Sequence, residues 1–307
     1  MRKILIDTDP GIDDAMAIIY ALSDPGVELL GLTTVFGNVP VDTATRNARA
    51  LLRRLGRSLP VVGGAARPLV REPAPHPDFV HGKDGFGGVR LEEPEQTGEI
   101  RDAAEFLIET LHRYPRQVTL VPVGPLTNLA VALEREPEIA GWVSEIVFMG
   151  GAVRTRGNVT AYAEANIWQD PHAAEIVLSA GWPMRLIGLD VTERVQCTPK
   201  DFASLAEAKP TAGGFLRDAG RFYMDFHVKS AGFEGCFMHD PSAVIAVVQP
   251  ELFSTEYIPL TAQCSGPRIG SIRQADDGRG AVGVCMDVEP DKVRRRFLDV
   301  IAAGPLP

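Results

Sequence analysis

One acidic stretch near the start of the chain constrains the fold more than any other feature. It covers residues 3–17 and reads KILIDTDPGIDDAMA. The apolar residues 4–6 predict a short buried strand, the Pro10-Gly11 pair predicts a turn, and the apolar periodicity of residues 15–22 predicts a helix. A strand that passes through a turn directly into a helix is typical of α/β proteins with a parallel sheet.

Four carboxylates lie where this strand ends and the helix begins: Asp7, Asp9, Asp13 and Asp14. Charges of the same sign this close raise one another's pKa unless something compensates them. The helix N-terminus supplies part of that compensation, and a hard divalent cation can supply the rest because every available ligand is an oxygen. The simpler interpretation is that these residues cap a turn or are solvated, but it explains one or two aspartates better than four. Since open α/β sheets place their sites at the carboxyl ends of strands, we predict a metal or catalytic site here.

Strand and helix patterns alternate along the rest of the chain. Strands are predicted at 28–35, 61–64, 118–123, 145–149, 184–189, 256–260 and 282–287. Helices are predicted at 43–55, 100–113, 128–136, 171–180, 199–208, 214–229, 240–248 and 291–302. We find no linker and no internal repeat, so the expectation is a single domain over residues 1–307, with an open, mainly parallel sheet and helices on both faces.

The segment from 65 to 98 is a long irregular stretch, rich in Pro and Gly. Loops of this length are uncommon in compact domains unless they have a function. Its glycines and its histidines His76 and His81 are typical of a lid that closes over a binding site. The alternative is a surface loop without a role.

Composition excludes several classes of partner. The net charge is −9 and the longest basic run is RRR at 294–296, which argues against a nucleic-acid partner. No apolar stretch is long enough to span a membrane, and the N-terminus lacks the apolar segment of a signal peptide. The four cysteines have no C-x-x-C spacing, which favours reduced, mostly buried thiols over disulfides or a zinc site. These features predict a cytoplasmic protein without a membrane partner.

Several other predicted strand ends carry polar residues, at 36–38, 122–124, 149–166 and 237–241. If the strands are parallel, Asp9, Asp14 and Asp240 converge at one edge of the sheet. Three carboxylates, a main-chain carbonyl and waters make the shell of six to eight oxygens that Ca²⁺ prefers, with Mg²⁺ as the alternative. Zn²⁺ is disfavoured because no paired His or Cys ligands are present.

Two further sets of polar residues are candidates for contact with a substrate. His239 precedes Asp240, titrates near neutral pH when unperturbed, and is a candidate general acid, although a single histidine is often structural. Asn158, Glu164 and Asn166 offer amide donors and a carboxylate suited to hydroxyl groups. The alternative for these three is ordinary loop polarity.

The segment DTDPGIDD at 7–14 resembles the N-terminal signature of the inosine-uridine-preferring nucleoside hydrolases. Further motifs follow in that family's order: FGN at 36–38, HGKDG at 81–85, VGPLTN at 123–128, MGG at 149–151, GN at 157–158, AEAN at 163–166 and HDP at 239–241. The resemblance covers nearly the whole chain. It implies an N-ribohydrolase on an open α/β fold with tightly bound Ca²⁺, a ribonucleoside as its small-molecule partner, and assembly as a homotetramer or homodimer.

The resemblance also implies a role for each matching position. Asp9 is both a calcium ligand and the base that activates the attacking water, and His239 protonates or hydrogen-bonds the departing base. The other calcium ligands are Asp14, Asp240 and the carbonyl oxygen of Val123. The residues that hold the ribose or line its pocket are Asp13, Asn38, Met149, Asn158, Glu164 and Asn166.

Two positions depart from the family pattern. Relatives often carry Thr at the position of Val123, which is harmless because only its carbonyl is used. An aromatic residue is common at the position of Ala165, so the pocket wall there is expected to be looser.

The base end of the pocket is expected near the predicted helix at 214–229. Tyr223 and His227 lie four positions apart and therefore share one face of it. They can line the base and relay a proton, and His81 can close over the base from its loop; simple packing is the alternative for all three. Spacing does not indicate whether a purine or a pyrimidine is preferred.

The chemistry of nucleoside hydrolysis agrees with this set of residues. Cleavage of the C–N bond passes through a ribosyl cation, which a cluster of aspartates stabilises. A calcium shell completed by the 2′- and 3′-hydroxyls predicts that 2′-deoxynucleosides are poor substrates. Two other classes stay open: a non-catalytic ribose or nucleoside binder that uses the same metal, and a haloacid dehalogenase-like phosphohydrolase. The second fits less well, because its nucleophilic Asp is followed by an Asp-Gly-Thr-like sequence whereas Asp9 is followed by PGIDD.

Overall fold

A nine-stranded sheet forms the centre of the computed structural model, which describes residues 1–92 and 102–307. Its strands are β1 (Arg2–Thr8), β2 (Val27–Thr34), β3 (Val61–Gly63), β4 (Val118–Pro122), β5 (Glu145–Met149), β6 (Met184–Ile187), β9 (Phe253–Ala262), β10 (Ile272–Gln274) and β11 (Ala281–Val288). Two short strands, β7 (Gln196–Cys197) and β8 (Cys236–Phe237), form a separate antiparallel pair.

Helices fill the connections between the strands. Within the described residues they are α1 (Ile12–Ser23), α2 (Val41–Arg54), α3 (Asp78–His81), α4 (Ala103–Arg113), α5 (Thr127–Arg135), α6 (Ile139–Trp142), α7 (Ala165–Gln169), α8 (Pro171–Ser179), α9 (Leu189–Thr192), α10 (Pro199–Ala208), α11 (Ala212–Ala231), α12 (His239–Val248) and α13 (Pro290–Ala303). None of these helices is both long enough and apolar enough to cross a membrane.

The sheet is mainly parallel, as predicted. Its strand order is β10-β9-β11-β6-β5-β4-β1-β2-β3, and the strands from β3 to β11 in that order pair in parallel. Only β9 and β10, at one edge, pair antiparallel with their neighbours. Because β1 lies between β4 and β2, its carboxyl end meets theirs at one edge of the sheet, where the acidic stretch begins.

Apolar residues cover both faces of the sheet, as the alternation along β1 requires. Ile4 and Ile6 belong to one core cluster, which packs against α1, α11, α12 and α13. Leu5 belongs to a second cluster on the opposite face, which packs against α4, α5 and α8. The prediction of helices on both faces is confirmed.

Several element boundaries differ from the predictions. The strand expected at 184–189 ends at Ile187, because the residues from Leu189 onward turn into α9. The helix expected from residue 100 is described from Ala103, with the Asp102 carboxylate capping its first turn. Residues 100 and 101, and the end of the 65–98 segment from residue 93, lie outside the described residues.

Candidate functional site

Three buried carboxylates meet at the carboxyl edge of the sheet. Asp13 and Asp14 lie in the first turn of α1, directly after β1, and Asp240 lies in the first turn of α12. Each offers a carboxylate oxygen within 4.8 Å of those of the other two. The sequence predicted that Asp9, Asp14 and Asp240 converge; the group found among the described residues contains Asp14 and Asp240, with Asp13 in the place expected for Asp9.

Asp14 is the most firmly held of these carboxylates. Its Oδ1 accepts hydrogen bonds from the Thr8 hydroxyl and from the backbone N–H of Asp9, at 3.1 Å in the second case. Its Oδ2 accepts from the backbone N–H of Gly11 at 2.9 Å and from Nδ2 of Asn38 at 3.1 Å. Donors on both oxygens fix the orientation of the carboxylate before any ligand arrives.

The Asp9 carboxylate accepts one hydrogen bond and packs against two glycines. Its Oδ2 accepts from the backbone N–H of Asn38 at 2.7 Å, while its Oδ1 is buried and has no hydrogen-bond partner in the described part of the chain. A Cβ at Gly37 would lie 1.9 Å from Oδ2, and one at Gly124 would lie 2.6 Å from Oδ1. Only glycine at these two positions leaves room for the Asp9 carboxylate.

Burial and mutual repulsion disfavour the ionised form of these carboxyl groups. Burial, followed by the charge of Asp14, raises the pKa of Asp9 well above its usual range. Burial also raises the pKa of Asp13 to about 6, and burial together with the charges of Asp13 and Asp14 raises that of Asp240 strongly. Like Asp9, Asp13 has a buried Oδ1 without a partner among the described residues. An all-oxygen set of this kind fits a hard divalent cation.

Asp7, the fourth acidic residue of the opening stretch, is tied to neighbouring elements instead. Its Oδ1 accepts from the Thr33 hydroxyl at 2.6 Å and from Nδ2 of Asn128 at 2.7 Å. Asn128 also donates to the carbonyl of Thr34 at 3.0 Å and accepts from the backbone N–H of Ala65 at 2.8 Å. Burial raises the pKa of Asp7 to about 7. Asn128 therefore joins three segments beneath the site.

The amide of Asn166 holds the ends of two strands together. Its Nδ2 donates to the carbonyl oxygen of Val123 at 2.9 Å and to that of Met149 at 3.1 Å. The Glu164 carboxylate caps α7, accepting from the backbone N–H groups of Asn166 at 2.9 Å and Gly151 at 2.8 Å. A carbonyl oxygen has two lone pairs, so Val123 keeps one for a cation.

Asn158 is exposed, unlike Glu164 and Asn166, which are buried. Its Oδ1 accepts from the backbone N–H of Ala165 at 3.0 Å. This contact places Asn158 against the start of α7.

Tyr223 connects α11 to the acidic cluster. Its hydroxyl donates to Oδ2 of Asp13 at 3.2 Å, and its ring stacks on that of His81 with centroids 5.2 Å apart. Nδ1 of His81 accepts from the backbone N–H of Ile12 at 3.1 Å. His81 is 5% exposed and burial lowers its pKa to about 4, so in this structure it already packs into the site as a neutral ring.

His227 shares the face of Tyr223, as predicted, with ring centroids 4.5 Å apart. Its Nδ1 lies 2.8 Å from the backbone carbonyl of Tyr223 and donates to it. The rings of Phe226, Phe233 and Phe237 surround it. Burial lowers its pKa to about 4. His227 is therefore packed among aromatic rings next to Tyr223.

His239 is half-buried at the first position of α12, and its Nδ1 lies 2.8 Å from Oγ1 of Thr192. Burial lowers its pKa to about 3, with His227 and His81 adding to the effect. This shift runs against the expectation that His239 titrates near neutral pH, because partial burial disfavours the charged ring. At neutral pH it is an uncharged ring with one N–H.

Sequence reasoning missed several residues that shape the site. Gly37 and Gly124 lie in motifs that were singled out, but their role depends on how close Asp9 approaches. Asn128 ends the VGPLTN motif, which was a detectable signal. Thr8 lies within the DTDPGIDD motif and Thr192 lies outside every motif, but for both only the fold shows that their hydroxyls reach Asp14 and His239.

Comparisons with known proteins agree with this geometry. Residues 4–295 match the family model described as inosine-uridine preferring nucleoside hydrolase. The chain is 43% identical over 270 residues to uridine nucleosidase 1 of Arabidopsis thaliana, covering 88% of this chain and 80% of that protein. It is 37% identical over 284 residues to the pyrimidine-specific ribonucleoside hydrolase RihB of Escherichia coli, covering 92% and 89%.

Solved structures are similar over almost the full length. A plant nucleoside hydrolase superposes with a TM-score of 0.95 at 35% identity, covering 98% of this chain and 99% of that one. A purine-preferring ribonucleoside hydrolase from Gardnerella vaginalis superposes with a TM-score of 0.94 at 34% identity, covering 98% of both chains.

Proposed function

The chain belongs to the inosine-uridine preferring nucleoside hydrolase family, and from this premise we propose that it is a Ca²⁺-dependent enzyme that hydrolyses ribonucleosides to ribose and free base. Nucleoside hydrolysis as such follows from the family. The dependence on Ca²⁺ and the roles of single residues are proposals. They rest above all on one observation: carboxylate oxygens of Asp13, Asp14 and Asp240 lie within 4.8 Å of one another in a buried site.

The donor set of this site fits a divalent cation. Asp9, Asp14, Asp240 and the carbonyl oxygen of Val123 would hold it, and the unpartnered Oδ1 of Asp9 supports this set. Ca²⁺ is preferred to Mg²⁺ because a shell that also takes two ribose hydroxyls suits six to eight oxygens. When bound, the cation supplies positive charge that orients the sugar hydroxyls and makes a neighbouring water more acidic.

Asp9 would accept the proton of the attacking water. The N–H of Asn38 holds one oxygen at 2.7 Å and leaves the other free to face the water. The carboxylates around it would also stabilise the positive charge that develops on the ribose.

The ribose hydroxyls would lie against Asp13, Asn158, Glu164 and Asn166, with Asn38 and Met149 lining the pocket. Asp13 has an unpartnered Oδ1 that can accept from a hydroxyl. The backbone N–H groups that Glu164 accepts from keep its carboxylate in place. A substrate lacking the 2′-hydroxyl would lose part of these contacts, so we expect 2′-deoxyuridine to be a poor substrate.

The departing base would meet His239 and the aromatic groups of α11. As an uncharged ring, His239 would assist by donating its N–H to the base as the C–N bond breaks. Tyr223, His227 and His81 would line the base end, with Tyr223 linked to Asp13 by its hydroxyl.

We propose a preference for pyrimidine nucleosides, uridine in particular. The similar proteins with 43% and 37% identity carry the names uridine nucleosidase and pyrimidine-specific ribonucleoside hydrolase. One solved neighbour at 34% identity is purine-preferring, so inosine belongs in the assay panel. We further propose a single functional domain, a cytoplasmic location and a homodimeric or homotetrameric assembly.

The test combines a substrate panel with a change of Asp9. The enzyme should release base from uridine faster than from inosine, lose activity in a chelator and regain it with Ca²⁺. The Asp9→Asn variant should bind uridine and lose turnover by several orders of magnitude. A nucleoside binder would show no turnover in the unchanged protein, and a phosphohydrolase would release phosphate from uridine monophosphate instead of base from uridine. Equal turnover of uridine and 2′-deoxyuridine would contradict the proposed metal and ribose contacts.

A further inference from the structure

Thr192 lies outside every motif that pointed to the site, yet it contacts the proposed proton donor. Its Oγ1 is 2.8 Å from Nδ1 of His239. It is the last residue of α9, which follows β6, whereas His239 opens α12 after β8. The contact therefore joins two connections that are 47 residues apart in sequence.

The surroundings of Thr192 indicate whether its hydroxyl or the ring of His239 donates the hydrogen bond between them. Thr192 is 0% exposed, and Nδ1 of His239 is the hydrogen-bond partner of its hydroxyl within the described residues. If the ring donated from Nδ1, the hydroxyl hydrogen would be buried without an acceptor, which is costly. The favoured arrangement has the hydroxyl donating to Nδ1. A neutral histidine that accepts at Nδ1 carries its hydrogen on Nε2.

The backbone keeps the two residues in place. The N–H of Met238, the residue before His239, donates to the carbonyl of Val195 at 2.9 Å. Beyond it, β8 pairs with β7 in a register that sets Cys236 opposite Cys197. These backbone hydrogen bonds connect the segment that follows α9 to the segment that precedes α12. They therefore keep the Thr192 hydroxyl against the same edge of the His239 ring.

We propose that Thr192 is a positioning residue that holds His239 with its Nε2–H directed at the leaving base. This inference rests on the proposed role of His239 in base departure. With Nδ1 engaged by Thr192, Nε2 is the ring nitrogen left to meet a substrate. The Nε2–H then forms a hydrogen bond to, or transfers its proton to, the base nitrogen or oxygen that gains electrons as the C–N bond breaks.

The variant Thr192→Val keeps the shape of the side chain and removes its hydroxyl. Uridine needs help with its leaving group, whereas 4-nitrophenyl β-D-ribofuranoside releases a stable anion and needs none. We expect the variant to lower kcat for uridine about tenfold, as expected for the loss of one hydrogen bond in the transition state, and to leave KM and the rate with the nitrophenyl riboside within about twofold. Thr192→Ser should restore most of the uridine activity.

Two controls make the result interpretable. Thr110→Val changes a buried threonine of α4, on the other face of the sheet, and should alter neither substrate's rate. In a His239→Ala background, Thr192→Val should cause no further loss with uridine.

Different results would contradict the role of Thr192 and the role of His239. A Thr192→Val variant that slows both substrates equally, or neither, contradicts a positioning role while leaving His239 assigned. A His239→Ala variant that slows both substrates equally, or neither, contradicts the proposed role of His239 and the role of Thr192 with it.

Discussion

Replacing Gly37 by Ala tests whether the rate of the reaction depends on the exact position of the Asp9 carboxylate. A Cβ at residue 37 would lie 1.9 Å from Oδ2 of Asp9 and 2.7 Å from its Cγ. Ordinary van der Waals contact begins near 3.4 Å, so the carboxylate must withdraw by about 1.5 Å. Its 2.7 Å hydrogen bond from the N–H of Asn38 cannot survive that shift. A misplacement of ~1 Å in a catalytic group can cost ~100-fold in rate.

We therefore expect Gly37→Ala to lower kcat for uridine by at least about 100-fold. The matched control is Gly141→Ala in α6, where a Cβ would meet no atom within 4 Å; it should keep full activity and stabilise the protein by about 0.5–1 kcal/mol. The assay measures initial rates of base release with saturating Ca²⁺, beside thermal unfolding of both variants. A folded Gly37→Ala variant with more than a third of the wild-type kcat would refute the reasoning.

Three other predictions concern stability. Asn128→Ala should lower the free energy of unfolding by about 3 kcal/mol in urea titrations, because it leaves several buried partners unsatisfied; a loss below 1 kcal/mol would contradict this. Asp24→Ala, which leaves Arg296 without the carboxylate 2.7 Å away, should cost about 2–3 kcal/mol yet keep kcat within twofold, since it lies at the opposite edge of the sheet. Burial raises the pKa of Asp13 from 3.8 to about 6, so this carboxyl makes stability fall as pH rises from about 4 to 6, whereas the lowered pKa values of His81, His227 and His239 act in the opposite direction. The free energy of unfolding of the unchanged protein relative to that of Asp13→Asn, measured in chelator, isolates the carboxyl and should fall over that range; a difference that rises with pH would contradict the assignment.

The location of the site could be predicted from sequence because it depends on local patterns. A strand, a turn and a helix start within 15 residues, and the carboxyl ends of parallel strands share one edge. The position of Asp240 does not follow from this rule, because the strand before it, β8, lies in the separate antiparallel pair and not in the main sheet. Short elements escaped prediction, since α6, α7 and β10 have three to five residues and hold too few positions for a periodicity to emerge.

The hydrogen-bond partners of individual site residues could not be predicted, because they depend on strand register and on the approach of segments that are distant in sequence. Asp7 pairs with Thr33 because β1 and β2 align those residues. A shift of one position would turn its carboxylate to the other face of the sheet. The pKa of His239 is a further example, because its departure from a value near neutrality comes from burial, which a histidine in a sequence motif does not reveal.

Buried aspartates of this protein differ in how completely their oxygens are hydrogen-bonded. Asp170 is buried outside the cluster, and its two oxygens accept from Leu69, Thr127 and Ala173. Asp7, Asp9 and Asp13, in contrast, each keep one buried oxygen without a hydrogen-bond partner in the described part of the chain. A cation held by the proposed ligands, and the positive charge that develops on ribose, would both be stabilised by the oxygens of Asp9 and Asp13. Because the charge on ribose is greatest in the transition state, these oxygens would favour the transition state over the bound substrate.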